Sequence, residues 1–526
     1  MSKRKLSTDD TAVLILISAV IFGAWLRIMP AWLAGFPVND GGMFYIMIQD
    51  LQANHYTLPL YTTYNHLNIP YVYPPLGFYI GAALTDLLNL STPLAVIQWL
   101  PGILNALCIP PFYLLAKEIT GNKFQSAVST LVFALIPHMT AWFSMGGGLT
   151  RSLGAIFMLL ALTHIHRVFA NESKRDIWGA ILFSGLAVLS HTEAPIYTVA
   201  IAIYIWLVKS RSRKGLTSGI LIALGVLALT SPWLASIISR HGLVPLLSAG
   251  QTSFRSTWSV LKLINIDLMT EETYLDLFGV FGILGMAILL SRKDYFIPGM
   301  FAVIFLSQPR SAHTIGNIPL AMAAGFLIME IILPAVSIKR ADLENQSKPS
   351  RIGIFIFLAV LIPYILSNSL YYGFTFSQNH VSESGRNTMS WIQENTPINS
   401  GFLLITGEPL WYCDSTSEWF PALTNRHNST TLQGNEWLKG SYFEELASDI
   451  QKLQACIDDG VACILEEVDR LSLEIDYLYI SLTPPKSDCK LVNASSLTRN
   501  LILELDHSAQ FQSVYHSADA VIYRKR

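Results

Sequence analysis

Residues 38–45 read Val-Asn-Asp-Gly-Gly-Met-Phe-Tyr, VNDGGMFY. They follow an apolar run at 11–33, about the 20 residues that a membrane-spanning helix needs. The fold turns on how the two are read together. The run is long for a signal-peptide core, no small-residue cleavage site follows it, and the basic Met1-Ser-Lys-Arg-Lys5 precedes it. These features predict a retained first helix with its basic end in the cytoplasm. Asp40 then opens a loop at the opposite membrane surface. A carboxylate beside two glycines is an odd choice for a mere tether.

The rest of the chain agrees with a membrane protein. Of 526 residues, 52% are apolar and only 14% charged, against about 25% charged in a soluble protein. Mean hydropathy is +0.42. A net charge of −2 gives no reason to expect nucleic acid as a partner. The partner that composition does imply is the lipid bilayer.

Further apolar runs occur at 96–116, 124–143, 151–170, 177–190, 195–208, 216–239, 275–291, 296–307, 313–333 and 352–372. Another, 75–90, follows Tyr73-Pro74-Pro75. The fold class expected is an α-helical polytopic membrane protein with about 11–13 transmembrane helices and a small external C-terminal α/β domain. Basic clusters at Arg167/Lys174/Arg175, 209–214, Arg292/Lys293 and 339–351 are expected on the cytoplasmic side. The outer face then receives 34–74, 144–150, 191–194, 240–274, 308–312 and everything after about 373. This alternation requires helix 75–90 to be re-entrant or juxtamembrane.

The division expected is 1–375 for the membrane domain and 376–526 for the tail. The tail holds 20 acidic and 11 basic residues. Strands are expected at 401–407, 461–467, 475–482, 511–517 and 520–525, and a helix at 441–460 ending at Gly460. Four cysteines lie here, Cys413, Cys456, Cys463 and Cys489. They are either two disulfides, with three possible pairings, or free buried thiols. Asn428-Ser-Thr430 and Asn493-Ala-Ser495 are glycosylation sequons. Cys108, in a span, is expected to pack.

The outer loops carry an unusual polar set: Asn39, Asp40 and Tyr73-Pro74; Gly147, Gly148, Thr150 and Arg151; His191 and Glu193; Arg310 and His313. Each alone reads as an interfacial anchor; their coincidence on one face points to a site. Asp40 is either the N-cap of the amphipathic stretch 43–51 or a general base. The run 146–151, GGGLTR, uncovers backbone N–H groups at a helix start and adds a guanidinium, a cradle suited to a phosphate. It lacks the ending of a nucleotide P-loop. Arg310 is a second cation, and His191, His313 and Glu193 could orient phosphate or acceptor. Asp50 reads as a solvated face. Zinc spacings are absent, and Asn39-Asp40 is thin for a divalent cation. No cofactor is expected.

A first span, an acidic residue opening an external loop, an amphipathic helix, and then YPPLGFY at 73–79 resembles the GT-C membrane glycosyltransferases, nearest in pattern to the protein O-mannosyltransferase and aminoarabinose transferase (family 39-like) group. The resemblance covers the membrane part, with its specific motifs confined to a small fraction of it. It implies that Asp40 acts in catalysis as a base and that Tyr73-Pro74-Pro75 helps form the site. It also implies a polyprenyl-phosphate sugar donor, an acceptor glycan, lipid or protein, and inverting transfer at the external face of the plasma membrane. Arg151 and Arg310 would hold the leaving phosphate. Helix 75–90 and the loop 53–74 would form an acceptor groove, with Tyr56, Tyr61, Tyr64, Tyr71 and Tyr73 for stacking. The loop 240–274, with Arg255 and Trp258, would cover the lipid head. The sequence departs from the group's pattern twice: Gly41-Gly42 stand where an acid commonly follows, and Tyr73 replaces a basic residue.

Two rivals from other classes are a lipid-linked substrate transporter or flippase, and an inactive membrane scaffold. The absence of a repeat counts against the transporter. The scaffold would leave Asp40 and Arg151 dispensable. A third reading, the oligosaccharyltransferase branch, uses a metal held by more acids than the loops offer.

Overall fold

The structure, a computed structural model, describes residues 7–136, 141–253, 277–336, 352–483, 486–487, 490–491 and 497–526. The basic start 1–5, the 339–351 cluster, Arg255, Trp258, Cys489 and the Asn493 sequon lie outside them.

The membrane part is a helical bundle. Its first helices are α1 (Thr8–Ala34), α2 (Gly42–Ala53) and α3 (Leu76–Leu87). A two-residue hairpin, β1 (Tyr61–Thr62) with β2 (Ile69–Pro70), lies between α2 and α3. Then come α4 (Leu94–Leu107), α5 (Ile109–Thr120), α6 (Lys123–Leu135), α7 (Ala141–Ser144), α8 (Gly148–Asn171), α9 (Asp176–Ser190) and α10 (Ala194–Lys209). They are followed by α11 (Arg213–His241), α12 (Val244–Ser253), α13 (Leu277–Ser291), α14 (Phe296–Ser307), α15 (Ala312–Leu327), α16 (Leu333–Val336) and α17 (Ile352–Ser377). Among the described residues six helical segments are long and apolar enough to cross a membrane: Thr8–Ala34, Leu94–Thr120, Gly148–Asn171, Arg213–His241, Pro309–Val336 and Ile354–Ser377. Shorter apolar helices pack beside them. Every apolar run read from the sequence falls on one or more of these helices. Helix α3 has 12 residues and rises about 18 Å, too little to cross a core about 30 Å thick.

A buried cation organises the bundle. Arg27 of α1 is 1% exposed. Its guanidinium donates to the carbonyls of Ala134 (2.6 Å) and Phe133 (3.1 Å) at the end of α6, to Gly23 O and to Asn105 Oδ1. A helix C-terminus leaves carbonyls without partners, and a cation meets both their hydrogen bonds and their charge. Asn105 in turn donates to Ser144 Oγ at 2.9 Å, so the network reaches the segment before GGGLTR.

The chain leaves the bundle after α17 through residues 378–382 and enters the tail. Its helices are α18 (Glu383–Asn395), α19 (Ser415–Thr424), α20 (Asn435–Lys439), α21 (Phe443–Asp459), α22 (Val461–Arg470) and α23 (Leu497–His507). Its strands are β3 (Gly401–Ile405), β4 (His427–Asn428), β5 (Tyr477–Ser481), the pair β6 (Lys486–Ser487) and β7 (Lys490–Leu491), β8 (Phe511–His516) and β9 (Ala520–Lys525). A five-stranded sheet has the order β4-β3-β5-β9-β8. β4, β3 and β5 run parallel, with Phe402 opposite Tyr477, and β9 and β8 are antiparallel.

Four expected strands match. The fifth, 461–467, is corrected: it forms helix α22. Val and Ile suggested a strand, but Val461, Ile464, Leu465 and Val468 recur with helical period, and Ile464 and Val468 are buried. Gly460, at φ 88°, turns the chain between α21 and α22, and a Cys456–Cys463 disulfide joins them. Cys413 is also disulfide-bonded, so the free-thiol alternative falls. Cys108 is a buried free thiol. Asn428 is not a glycosylation acceptor in the folded chain: it is fully buried, and its amide donates to Thr431 Oγ1 at 2.9 Å.

One apolar core bridges the two parts. Phe36, Phe44, Ile97 and Leu149 of the bundle pack in one cluster with Phe402, Trp419, Phe420 and Trp437 of the tail. The tail is therefore seated on the end of the bundle that carries Asp40.

Candidate active site

Asp40 sits between α1 and α2, where the chain reverses. Asn39 adopts φ 57° and Gly41 φ 122°, a left-handed pair that turns the carboxylate away from its own helix. Asp40 does not cap α2; the N-cap is Gly41, without a side-chain bond. Instead Asp40 Oδ1 accepts from the Gly147 N–H at 2.7 Å, and Oδ2 accepts from Arg151 Nη1 at 3.0 Å. The carboxylate thus occupies the start of α8.

This corrects the phosphate cradle. The Gly146 N–H donates to Val38 O, that of Gly147 to Asp40, and that of Gly148 to Met145 O. All three donors are committed within the protein, so the anion at this helix terminus is Asp40 itself. The glycines serve close approach: a Cβ on Gly146 would lie 2.0 Å from Asp40 O, and one on Gly147 2.5 Å from Asp40 Oδ2. Gly147→Ala is therefore expected to displace the carboxylate and to lower any activity that depends on it about a hundredfold, with little loss of thermal stability. Steady-state kinetics and thermal unfolding check both parts.

Arg151 has a second contact beside Asp40. Nη1 also donates to Trp142 O at 3.3 Å, and the guanidinium lies 5.2 Å from the Trp142 ring centroid. Both of these bonds leave from Nη1. Asp40 is 16% and Arg151 25% exposed at the side chain, so both are reachable.

Tyr73, His191 and Glu193 lie near this pair. Tyr73, half-buried, places its hydroxyl 3.3 Å from Thr150 Oγ1. Its ring lies 5.0 Å from Phe44, 5.8 Å from Trp437 and 6.3 Å from His191. Burial pushes its hydroxyl up to about 12, so it is a neutral donor. Pro74 is buried beneath it. Burial holds His191 down at about 4. Its Nδ1 accepts from the Glu193 N–H, so the ring proton sits on Nε2. Glu193 Oε2 accepts from Ser311 Oγ at 2.7 Å, beside Arg310. Arg310 is exposed and, with Arg151, acts electrostatically on His191. His313 lies half-buried at the start of α15. Asn39 is fully buried: its Nδ2 donates to Tyr412 O and its Oδ1 accepts from Asn379 Nδ2, both at 2.9 Å. It is a structural residue rather than a substrate ligand.

Three further readings change. Asp50 is an anchor, not a solvated face: it accepts from Thr62 Oγ1, Thr63 N and Thr63 Oγ1. Tyr64 and Tyr71 are 1% and 2% exposed, and their hydroxyls donate to Glu418 O and Met47 O. Neither can stack on a sugar; Tyr56 and Tyr61 remain exposed. The sequence reading also missed the tail's carboxyls. Glu418 Oε1 accepts from the Gly41 N–H at 2.9 Å. Burial pushes this carboxyl well above the usual range, and the Asp40 charge acts the same way. Burial also raises Glu436, against the opposing effect of the Arg310 charge. The signal available for Glu418 was its place beside Trp419-Phe420, apolar residues that demand burial. Among the described residues no three His, Cys, Asp or Glu side chains are grouped to hold a metal ion.

Known proteins can now be compared. Archaeal oligosaccharyltransferase AglB from Archaeoglobus fulgidus, solved with an inhibitory peptide and a dolichol-phosphate, is similar over 90% of this chain and 69% of its own, at 14% identity and TM-score 0.56. ArnT from Cupriavidus metallidurans, bound to undecaprenyl phosphate, is similar over 97% of both chains, at 13% identity and TM-score 0.51. The arabinofuranosyltransferase AftD from Mycobacteria is similar over 96% of this chain but 40% of its own, at 14% identity and TM-score 0.52. This chain has the GT-C fold. The identities are nearly equal, so they assign the GT-C fold without choosing its branch. Residues 71–270 match the family described as 6-pyruvoyl-tetrahydropterin synthase related domain, membrane protein. That match covers less than half of the chain and agrees with its membrane character. No curated protein sequence matches.

Proposed function

We propose that this chain is an integral-membrane glycosyltransferase that moves a sugar from a polyprenyl-phosphate donor to an acceptor hydroxyl at the external membrane face. One observation carries the reading: on a GT-C fold, a reachable carboxylate and a guanidinium form a pair at one end of the bundle. Asp40 uses two of its roughly four lone-pair positions on Gly147 and Arg151. Another can accept the proton of the acceptor hydroxyl. As that oxygen bonds to the sugar's anomeric carbon, the bond from that carbon to phosphate breaks. The electron pair leaves on phosphate, and the proton passes to Asp40 and then to water. The configuration inverts. Arg151 reaches the leaving phosphate through its Nη2 edge and meets its growing charge. Tied to Asp40 through Nη1, it also sets the spacing between base and leaving group. Arg310 supplies a second cation, and the Tyr73 hydroxyl and the His191 Nε2–H are neutral donors for sugar or phosphate.

The purified protein with a panel of polyprenyl-phosphate sugars tests this. Release of polyprenyl phosphate with transfer to an acceptor glycan, lipid or peptide is expected for one donor class. A folded protein that turns over none, but moves such lipids across vesicle bilayers, would select the transporter instead.

A further inference from the structure

Four backbone N–H groups at a helix start need partners from outside the helix. At α2 the first comes from far along the chain. The N-cap, Gly41, has no side chain to offer, and Asp40 faces α8. Glu418 of α19, 377 residues away, accepts the Gly41 N–H at 2.9 Å, and the Met43 amide adds to its stabilisation. The next residue, Trp419, donates its indole N–H to Asn39 O at 3.0 Å. Asn39 N donates to Asn379 O at 2.6 Å, and the Asn39 side chain is held by Asn379 and Tyr412. The residues on both sides of Asp40 are thus gripped by segments that follow the last span. The grip is itself braced. Tyr64 OH donates to Glu418 O at 2.6 Å. A Cβ on Gly42 would lie 2.7 Å from that same oxygen, so only glycine there allows α19 this close. The cluster is buried, and it holds Asn39 in a left-handed conformation.

We propose that Glu418 is a positioning residue for Asp40. By accepting the Gly41 N–H it takes over the start of α2, and with Trp419 it fixes the turn that points the Asp40 carboxylate at Gly147 and Arg151. The tail is then part of the reaction centre. The kinetic consequence rests on the reading of Asp40 as base; the structural one does not.

Full-length wild type, Glu418→Gln and Glu418→Ala, in matched nanodiscs, are compared by amide hydrogen exchange over 38–46 and by steady-state transfer. Glu418→Ala is expected to raise exchange at Gly41–Tyr45 by about tenfold or more. It should lower kcat about a hundredfold, with the KM for donor little changed. Glu418→Gln keeps an acceptor oxygen and should stay near wild type in both. If Glu418→Ala does not fold, Trp419→Phe, which removes the indole donor and part of a buried ring, should show smaller changes in the same direction. Unchanged exchange in the alanine variant, raised exchange with unchanged kcat, or a glutamine variant as impaired as alanine would each overturn the proposal. If wild type turns over no donor, the functional reading fails, and the exchange comparison alone decides the structural grip.

Discussion

Asp40→Asn should lower sugar transfer by about 10²–10⁴-fold, the usual share of general-base catalysis, while the protein remains folded. Asparagine has nearly the same shape, and its Oδ1 can still accept from Gly147 N–H. It cannot take a proton, and its amide would face the Arg151 guanidinium donor to donor. Donor binding should weaken little, because the phosphate contact proposed for Arg151 leaves from its other edge. The measurement is kcat and KM in matched membranes, with thermal unfolding as the fold control. A kcat within a few-fold of wild type would remove Asp40 from the chemistry. Loss of folding would instead make the pair with Arg151 (3.0 Å) structural.

The largest effect on stability is expected at Arg27. Arg27→Met keeps much of the aliphatic volume but deletes every donor to Ala134 O, Phe133 O, Gly23 O and Asn105 Oδ1. Leaving a buried acceptor without its partner costs on the order of 1–3 kcal/mol, and the end of α6 at Phe133 and Ala134 is buried. The unfolding midpoint in detergent should fall by several degrees. Activity should fall with it even where protein survives, since Asn105 would lose the group that orients it toward Ser144, just before the GGGLTR turn. An unchanged midpoint would show that α6 finds other partners. An intramembrane arginine usually suggests function; here its hydrogen bonds brace the end of α6.

The legible and illegible parts of the sequence divide by range. A run such as 11–33 or 313–333 has almost no reading other than a membrane helix, so the bundle was legible. Residues at span ends on one face could be grouped from topology alone, and the Asp40–Arg151, Tyr73–Thr150 and Glu193–Ser311 contacts follow that grouping. The direction of Asp40 was not legible. Local propensity offers it as the cap of α2, whereas the close approach of Gly146 and Gly147, a tertiary fact, draws it to α8. Glu418 was hidden for the same reason: within STSEWFPA it reads as one more helical acid, and its role exists only once α19 meets α2. Tyr64 and Tyr71 looked like a stacking surface because interfacial tyrosines are common; their burial depends on the tail that covers them. At 461–467 β-branched residues suggested a strand, and the helical spacing of Val461, Ile464, Leu465 and Val468 was the better guide.

The anomeric configuration of the transferred sugar, read by NMR on the product of wild-type turnover, tests the role of Asp40 most directly. A base that activates the acceptor for one direct displacement gives an inverted product and leaves no sugar on the protein. A retained configuration, or a sugar trapped covalently on Asp40, would make the carboxylate a nucleophile and contradict its assignment as base.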